Sequence, residues 1–409
     1  MSVPPPAAPS HLLRLHSHPI NTLAFSPDNE RIYSGDSSGL VVVTSSRSLR
    51  AISKWEAHSS GLLGIEEWED QIITYAGNIY SREYYILIPG DNGRITELPE
   101  AARLGDTAAR LDLPVPKLSY SLDVNALNYC RFSLTRHPAA PTGEKKALIA
   151  VPGLIDSSVA DIWRLPCRNR IHAAIGQEVH KDIFSTDLKG RNSAGIIMGL
   201  HLFSSPMESD EIHRLHLLCA YENGSVTLRR FSSTDQHTSV EGVGWEVLWT
   251  AKLHAETIMA MKVSRQNDFA ISVSADHLVC RYDVGVSNSI STPQNTGVSF
   301  KTKHPGNSSI AIRDDGKVCA IGGWDGSIRL YSTRTFKSLG TLKYHKSTCQ
   351  AVEFARSSGC DHLESQSESG IVSDDEMSSE EKAERDRWLL GGGKDGRISI
   401  WSLIQFSKS

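Results

Sequence analysis

Two stretches near the C-terminal end decide how the chain reads. Residues 320–331 run Ala320-Ile-Gly-Gly-Trp-Asp-Gly-Ser-Ile-Arg-Leu-Tyr331, and residues 390–401 run Leu390-Gly-Gly-Gly-Lys-Asp-Gly-Arg-Ile-Ser-Ile-Trp401. Each sets an Asp-Gly turn six residues before an aromatic, with apolar side chains alternating in between. Alternation with period two puts one face of a strand inward, and Asp-Gly suits the tight turn of a hairpin. The same frame recurs at Ser38-Gly39, Asn92-Gly93, Asp156-Ser157, Asn223-Gly224 and Asp276-His277, giving seven turns spaced 54, 65, 66, 53, 49 and 70 residues apart.

Upstream of most turns lies another short strand: Ile20 to Asp28, Asn125 to Phe132, Ile258 to Ser264 and Gln350 to Ala355. A histidine often precedes it, as at His18, His58, His254 and His345. Such units resemble WD repeats, in which that His, a second-strand Ser, the turn Asp and a third-strand Trp form a hydrogen-bonded tetrad. The fullest set is His254, Ser272, Asp276 and Tyr282, with Tyr in place of Trp; Asp325 marks the sixth turn. In the last unit Gly391 stands in place of the Ser beside His345, Asp395 and Trp401. A WD40 blade takes ~40–45 residues, so each unit carries extra loop. Seven units predict an all-β, seven-bladed WD40 β-propeller over residues 11–409. The chain ends just past a third strand, so His11-Leu-Leu-Arg-Leu-His16 is expected to supply the outer strand of the last blade and close the ring.

Composition agrees with a single folded body. The 409 residues carry 43 basic and 47 acidic side chains, a net charge of -4. Residues 357–387 hold ten acids, three bases and eight serines, and the remainder carries 40 bases against 37 acids. That segment reads as a disordered acidic insertion in the last blade. Ser373 precedes Asp-Asp-Glu and Ser365 has Glu368 three residues on, patterns that acidophilic kinases favour; the alternative is a solvated loop that happens to carry serines. Residues 1–10 read as a disordered lead, not a signal peptide, and residues 99–117 and 232–244 as surface loops. Gly77 to Pro89 reads as one insertion into the second blade, or a mis-spliced segment. Seven dispersed cysteines without a C-x-x-C fit buried thiols in a reducing compartment.

The near-neutral balance argues against a protein that mainly grips nucleic acid, and no apolar run approaches the ~20 residues of a spanning helix. Gly391-Gly-Gly-Lys-Asp395 lacks the frame of a phosphate loop and joins strand to strand. The pairs His16/His18 and His213/His216 have no carboxylate or cysteine at ligand spacing, and no nucleophile elbow occurs. The chain is expected to have no catalytic residues, cofactor or metal, and to bind neither membrane nor a small-molecule substrate. Binding is the expected class. Trp324-Asp-Gly-Ser327 lacks the Arg of the W-D-x-R found in ubiquitin-ligase receptors. A reader of a histone tail or other peptide at the channel mouth remains the alternative to a scaffold.

The order of motifs resembles one WD family, the fungal ASTRA-associated WD-repeat proteins, whose animal relative is a guanine-nucleotide-binding β-subunit-like protein. The similar pieces include Asp123 to Phe132, Leu148 to Ser157, Gly195 to Phe203, Ala220 to Val226, Phe300 to Gly306, Ala320 to Asp325 and Leu342 to Lys346. Blade one lacks the expected Trp at its end (Val43-Thr44), and blade two departs at its turn. The resemblance implies a nuclear protein, with a cytoplasmic pool, that is a non-catalytic scaffold in chromatin remodelling and in the maturation of PI3-kinase-related kinases. The partners it implies are the TTT co-chaperone, RuvB-like AAA+ ATPases and a TRRAP-type pseudokinase.

Overall fold

The structure is a computed structural model that describes the chain except residues 1–7, 70, 78–82, 89–112, 126, 137–145, 178–192, 206–213, 233–237, 286–295, 358–377 and 404–409. The turn at Asn92-Gly93, Cys360, Ser365 and Ser373 lie outside the described residues. Among the described residues, seven four-stranded antiparallel sheets account for 28 strands.

After β1 (His11–Leu13), the first sheet is β2 (Ile20–Phe25), β3 (Arg31–Asp36), β4 (Leu40–Ser45) and β5 (Ala51–Glu56). The second is β6 (Leu62–Trp68), β7 (Gln71–Ala76), β8 (Glu83–Ile88) and β9 (Lys117–Asp123). The third is β10 (Ser133–Arg136), β11 (Ala147–Pro152), β12 (Ala160–Leu165) and β13 (Asn169–Ile175); the fourth is β14 (Ile197–Ser205), β15 (Arg214–Tyr221), β16 (Ser225–Phe231) and β17 (Trp245–Lys252). The fifth is β18 (Ile258–Val263), β19 (Phe269–Ser274), β20 (Leu278–Asp283) and β21 (Gly297–Lys301); the sixth is β22 (Asn307–Ile312), β23 (Val318–Gly323), β24 (Ser327–Ser332) and β25 (Ser338–Lys343). The seventh is β26 (Cys349–Phe354), β27 (Trp388–Gly393), β28 (Ile398–Ser402) and, from the other end of the chain, β1.

Two compact units divide these sheets. Met1–Ala76, Glu83–Leu122 and Ser309–Ser409 form one, and Gly77–Arg82 with Asp123–Ser308 the other. In both, cores form where one sheet faces the next. Leu330 and Leu342 of the sixth sheet meet Val352, Leu389 and Trp401 of the seventh. Leu390, Ile398 and Ile400 meet Ile20, Leu23 and Ile32 of the first, which in turn presents Tyr33 and Val43 to Leu62 and Ile65 of the second. In the other unit Ile162 packs with Leu217, and Leu228 with Ala270 and Tyr282. Second strands such as β19, β23 and β27 are buried along their whole length, whereas the fourth strands β17, β21 and β25 are largely exposed. Burial on both faces explains why the second strands read as runs of Ala, Cys, Gly and aliphatics rather than as alternating sequence.

Several sequence expectations are corrected here. Glu83–Ile88 is no insertion: β8 pairs with β7, Tyr84 opposite Tyr75 and Leu87 opposite Ile72, as the third strand of the second sheet. Asn125 to Phe132 is not a strand, because the side chains of Asn125 and Asn128 bond main-chain carbonyls of neighbouring turns instead; the strand begins at Ser133. The presumed loop at 99–117 ends in β9, which starts at Lys117. In the 232–244 loop, Ser239 folds back onto β13 and bridges His172. Of the lead, residue 10 is tied to the last sheet: the Ser10 amide donates to the Ile400 carbonyl at 2.8 Å.

The acidic insertion is folded at its C-terminal end. A helix, α1 (Ser379–Arg385), is started by a capping box in which the Glu381 amide donates to Ser378 Oγ and the Ser378 amide to Glu381 Oε2. The Arg385 guanidinium lies over the Trp388 ring, 4.9 Å from its centre. Both ends of the insertion are held at Asn29, in the β2–β3 turn. Asn29 Nδ2 donates to the Arg356 carbonyl (2.7 Å) and to Asp386 Oδ1 (3.1 Å), and the Arg356 amide donates to Asn29 Oδ1 (2.8 Å).

Candidate functional site

The side chains singled out by the repeat do meet, and they sit where second and third strands turn. In the fifth sheet His254 Nδ1 donates to Asp276 Oδ2 at 3.0 Å, and Nε2 lies 2.8 Å from Ser272 Oγ, which is 3.1 Å from Tyr282 Oη. Asp276 Oδ1 also accepts the Leu278 amide, fixing the turn. Burial lowers the His254 pKa against the pull of Asp276, so the ring is a neutral donor to a carboxylate.

In the seventh sheet His345 Nδ1 donates to Asp395 at 3.1 Å. The position expected to be vacant through Gly391 is filled from the third strand: Ser399 Oγ lies 2.9 Å from His345 Nε2 and accepts the Trp401 indole N–H at 3.0 Å. Ser399 departs from the repeat pattern, which places the hydroxyl on the second strand. A Cβ at Gly391 would stand 2.4 Å from Ile328 Cδ1 and 2.9 Å from Ser399 Oγ. Gly391→Ser, which restores the repeat's usual residue, is therefore expected to destabilise the protein by about 1–3 kcal/mol through overpacking; a raised urea midpoint would refute this.

The first sheet corrects the histidine. His16, not His18, is used: its Nδ1 donates to Asp36 Oδ2 and its Nε2 lies 2.8 Å from Ser34 Oγ, the first distance also being 2.8 Å. His18 is exposed. The usable signal was spacing, since His16, His58, His254 and His345 each stand four residues before the first residue of β2, β6, β18 and β26. Desolvation raises the Asp36 carboxyl, but hydrogen bonds from Ser38 and His16 outweigh it and hold it below the usual range. In the second sheet His58 Nε2 lies 3.0 Å from Thr74 Oγ1, and burial alone pushes its pKa down to about 4.

Other sheets reach the same end differently. Asp325 has no histidine; Arg329 holds it with two bonds, Nη1 to Oδ1 at 3.1 Å and Nη2 to Oδ2 at 2.5 Å. In the fourth sheet Arg229, six residues after Asn223 where other turns are followed by an aromatic, donates to Tyr221 Oη at 2.9 Å. In the third, Asp156 Oδ1 accepts the Ser158 amide and hydroxyl. There Asn128 Nδ2 donates to the carbonyls of Ser157 (3.0 Å) and Ile197 (2.9 Å), and Asn125 Nδ2 to that of Gly153 (2.8 Å).

These bonds make the turns rigid platforms, and what the platforms present is the candidate for function. Asn125 ties the segment bearing Leu127 and Tyr129 to the turn bearing Leu154 and Ile155. All four side chains face solvent, Tyr129 at 68% and Ile155 at 97% exposure. Large apolar side chains exposed on hydrogen-bonded loops are candidates for an interaction surface. Among the described residues no three His, Cys, Asp or Glu side chains group as a metal would need, and no helix is long and apolar enough to cross a membrane. The described cysteines are all free thiols; those at 130, 219, 280, 319 and 349 are buried and Cys167 is exposed.

Four-stranded sheets with His–Asp–hydroxyl–aromatic clusters at their turns define a WD40 β-propeller fold. The family described as WD domain, G-beta repeat, matches residues 8–45 and 298–332. The solved β-propeller domain of Cps50 (Swd1) from Myceliophteria thermophila aligns with a TM-score of 0.60 over 98% of this chain and 100% of that one, at 12% identity. Within that class the chain belongs to the ASTRA-associated protein 1 family. It is 30% identical to ASTRA-associated protein 1 of Verticillium alfalfae, over 98% of this chain and 94% of that one. It is 28% identical to the same-named protein of Penicillium rubens, covering 98% and 99%, and 24% identical to that of Schizosaccharomyces pombe, covering 85% and 93%.

Proposed function

We propose that the protein is a non-catalytic scaffold of the ASTRA complex and that its seven sheets close into one seven-bladed ring, completed by β1. The family membership carries this reading, because relatives over nearly the full chain are named for association with ASTRA. The site is of the matching kind: hydrogen-bonded turns display Leu127, Tyr129, Leu154 and Ile155 to solvent. The expected role is nuclear, in chromatin remodelling and in the maturation of PI3-kinase-related kinases, with the TTT co-chaperone, RuvB-like AAA+ ATPases and a TRRAP-type pseudokinase as partners.

Affinity purification in mild salt tests the reading. The tagged protein is expected to recover RuvB-like or TTT components, and Tyr129→Asp with Ile155→Asp to reduce their recovery at least tenfold while leaving the melting temperature unchanged. Failure of the unmodified protein to bring down any of these components would sink the proposal.

A further inference from the structure

Outside that apolar surface, the turns of the sixth and seventh sheets form a second exposed group of a different chemistry. Trp324 opens the β23–β24 turn and is 49% exposed, unlike the buried Trp388 and Trp401. Its carbonyl accepts Thr348 Oγ1 at 3.4 Å, and the Lys394 amide, which opens the β27–β28 turn, donates to the Thr348 carbonyl at 2.8 Å. Thr348 thus holds Trp324 and Lys394 on either side of the segment His345–Thr348. That segment is pressed against the first turn at Gly326, whose φ is +78° and where a Cβ would lie 2.2 Å from the His345 carbonyl oxygen, so only glycine fits.

The charges there are one-sided. The turns contain two carboxylates, and both are satisfied internally, Asp325 by Arg329 and Asp395 by His345. Lys343, Lys346, Lys394 and Arg397 are exposed. The three lysines have no ion-pair partner among the described residues; Arg397 donates to the Tyr344 hydroxyl at 3.0 Å and is offset in part by Asp395. A half-exposed indole flanked by unpaired cations on hydrogen-bonded turns offers an apolar contact and charge-assisted bonds to carboxylates.

We infer that these turns, residues 324–326, 343–348 and 394–397, are a docking site for an acidic segment of a partner protein that carries an apolar residue to set against Trp324. Four cations beside one aromatic cover fewer charges than the run of phosphates that usually anchors a nucleic acid, which favours a peptide. A lysine-rich tail such as a histone's has the wrong sign for this surface. The inference does not rest on the assembly reading, and its test uses the isolated protein.

The probe is a fluorescein-labelled peptide of four Glu-Glu-Leu repeats, titrated with the full chain and followed by anisotropy. Saturable binding is expected that weakens several-fold between 50 and 200 mM salt, as screening requires. Lys346→Glu with Lys394→Glu, and separately Trp324→Ala, are expected to raise Kd at least tenfold with unchanged melting temperatures, while Ile155→Asp leaves Kd unaltered. Absent binding, or binding indifferent to these variants, would overturn the inference. So would a twelve-residue oligothymidylate that binds more tightly than the peptide and loses affinity in the same variants, since the surface would then be a nucleic-acid site.

Discussion

Removal of residues 1–13 is expected to lower the melting temperature by roughly 5–10 °C and to make the protein aggregate with rising concentration. Those residues supply β1, which pairs His11, Leu12 and Leu13 with Ile400, Ser399 and Ile398. The Ser10 amide and hydroxyl extend the pairing to Ile400 and Ser402. Leu13 is buried with Ile398, Ile400 and Trp388, worth about 2 kcal/mol. With about 1 kcal/mol for each of a few ladder bonds, the loss approaches ~5 kcal/mol, a shift of this order for a chain longer than the domains for which the scaling is known. The exposed edge of β28 then offers unpaired backbone groups to a second chain. Light scattering and differential scanning fluorimetry read both effects, and a synthetic peptide of residues 8–14 should restore part of the stability. A truncated protein that melts like the full chain would show that β1 contributes nothing to the last sheet.

The second large effect is acid sensitivity well above the carboxylate range. Desolvation by burial pushes the pKa values of His58, His172, His201 and His216 down to about 4. His172 is enclosed by Phe231 and Trp245; its Nδ1 lies 2.9 Å from Ser239 Oγ. His216 stacks on Phe203, with Nδ1–H donating to the Arg214 carbonyl and no partner for Nε2 among the described residues. A histidine with a folded pKa below its unfolded value of about 6.5 binds its proton more readily when unfolded. Stability is therefore complete above pH 6.5, falls as pH drops through that value, and levels off below pH 4. Each ring contributes a loss of about 2 kcal/mol by pH 5, and the four together a slope of about 5 kcal/mol per pH unit there. Glu67, raised by burial despite Arg31, works in the opposite direction, as one group against these four. Urea unfolding at pH 7.5, 6.0 and 5.0 measures the slope. His216→Leu should reduce it by about a quarter; a flat profile between pH 7 and 5 would contradict the burial of these rings.

How far the sequence reveals this protein depends on where the backbone dictates residue type. Turns such as Asp325-Gly326 and Asp395-Gly396 demand a positive φ and a capping carboxylate, so they stand out; Gly39 and Gly224 share the positive φ, while Asp156 and Asp276 supply the capping carboxylate alone. Strand β8 is hard to read from sequence because the marked turn, Asn92-Gly93, follows Glu83-Tyr-Tyr-Ile-Leu-Ile88 instead of preceding it as at the other third strands. The helix α1 lay hidden in an acidic run whose composition suggests disorder, although Ser378-Ser-Glu-Glu381 spells a capping box. Within the clusters, His254, Ser272, Asp276 and Tyr282 were legible because all four follow the repeat. His16 and Ser399 were not, because a hydroxyl or imidazole can reach the same point from a neighbouring position. The exposed surfaces were the least legible: Ile155 and Trp324 look like any strand-end hydrophobe until the hydrogen bonds of Asn125 and Thr348 show which loops they share.

The fastening at Asn29 has a bearing on how the chain tolerates changes in length. Because Arg356 and Asp386 are bound to one side chain, the seventh sheet closes at the base of its insertion, and β26 and β27 stay in register whatever number of residues joins them. Lengthening a connection whose ends are already fixed adds only about 0.6 kcal/mol per doubling. Insertions and deletions between residues 358 and 377 can thus accumulate in evolution at little expense to the fold, whereas a change at Asn29, nearly 330 residues away in sequence, would remove the fastening that permits them.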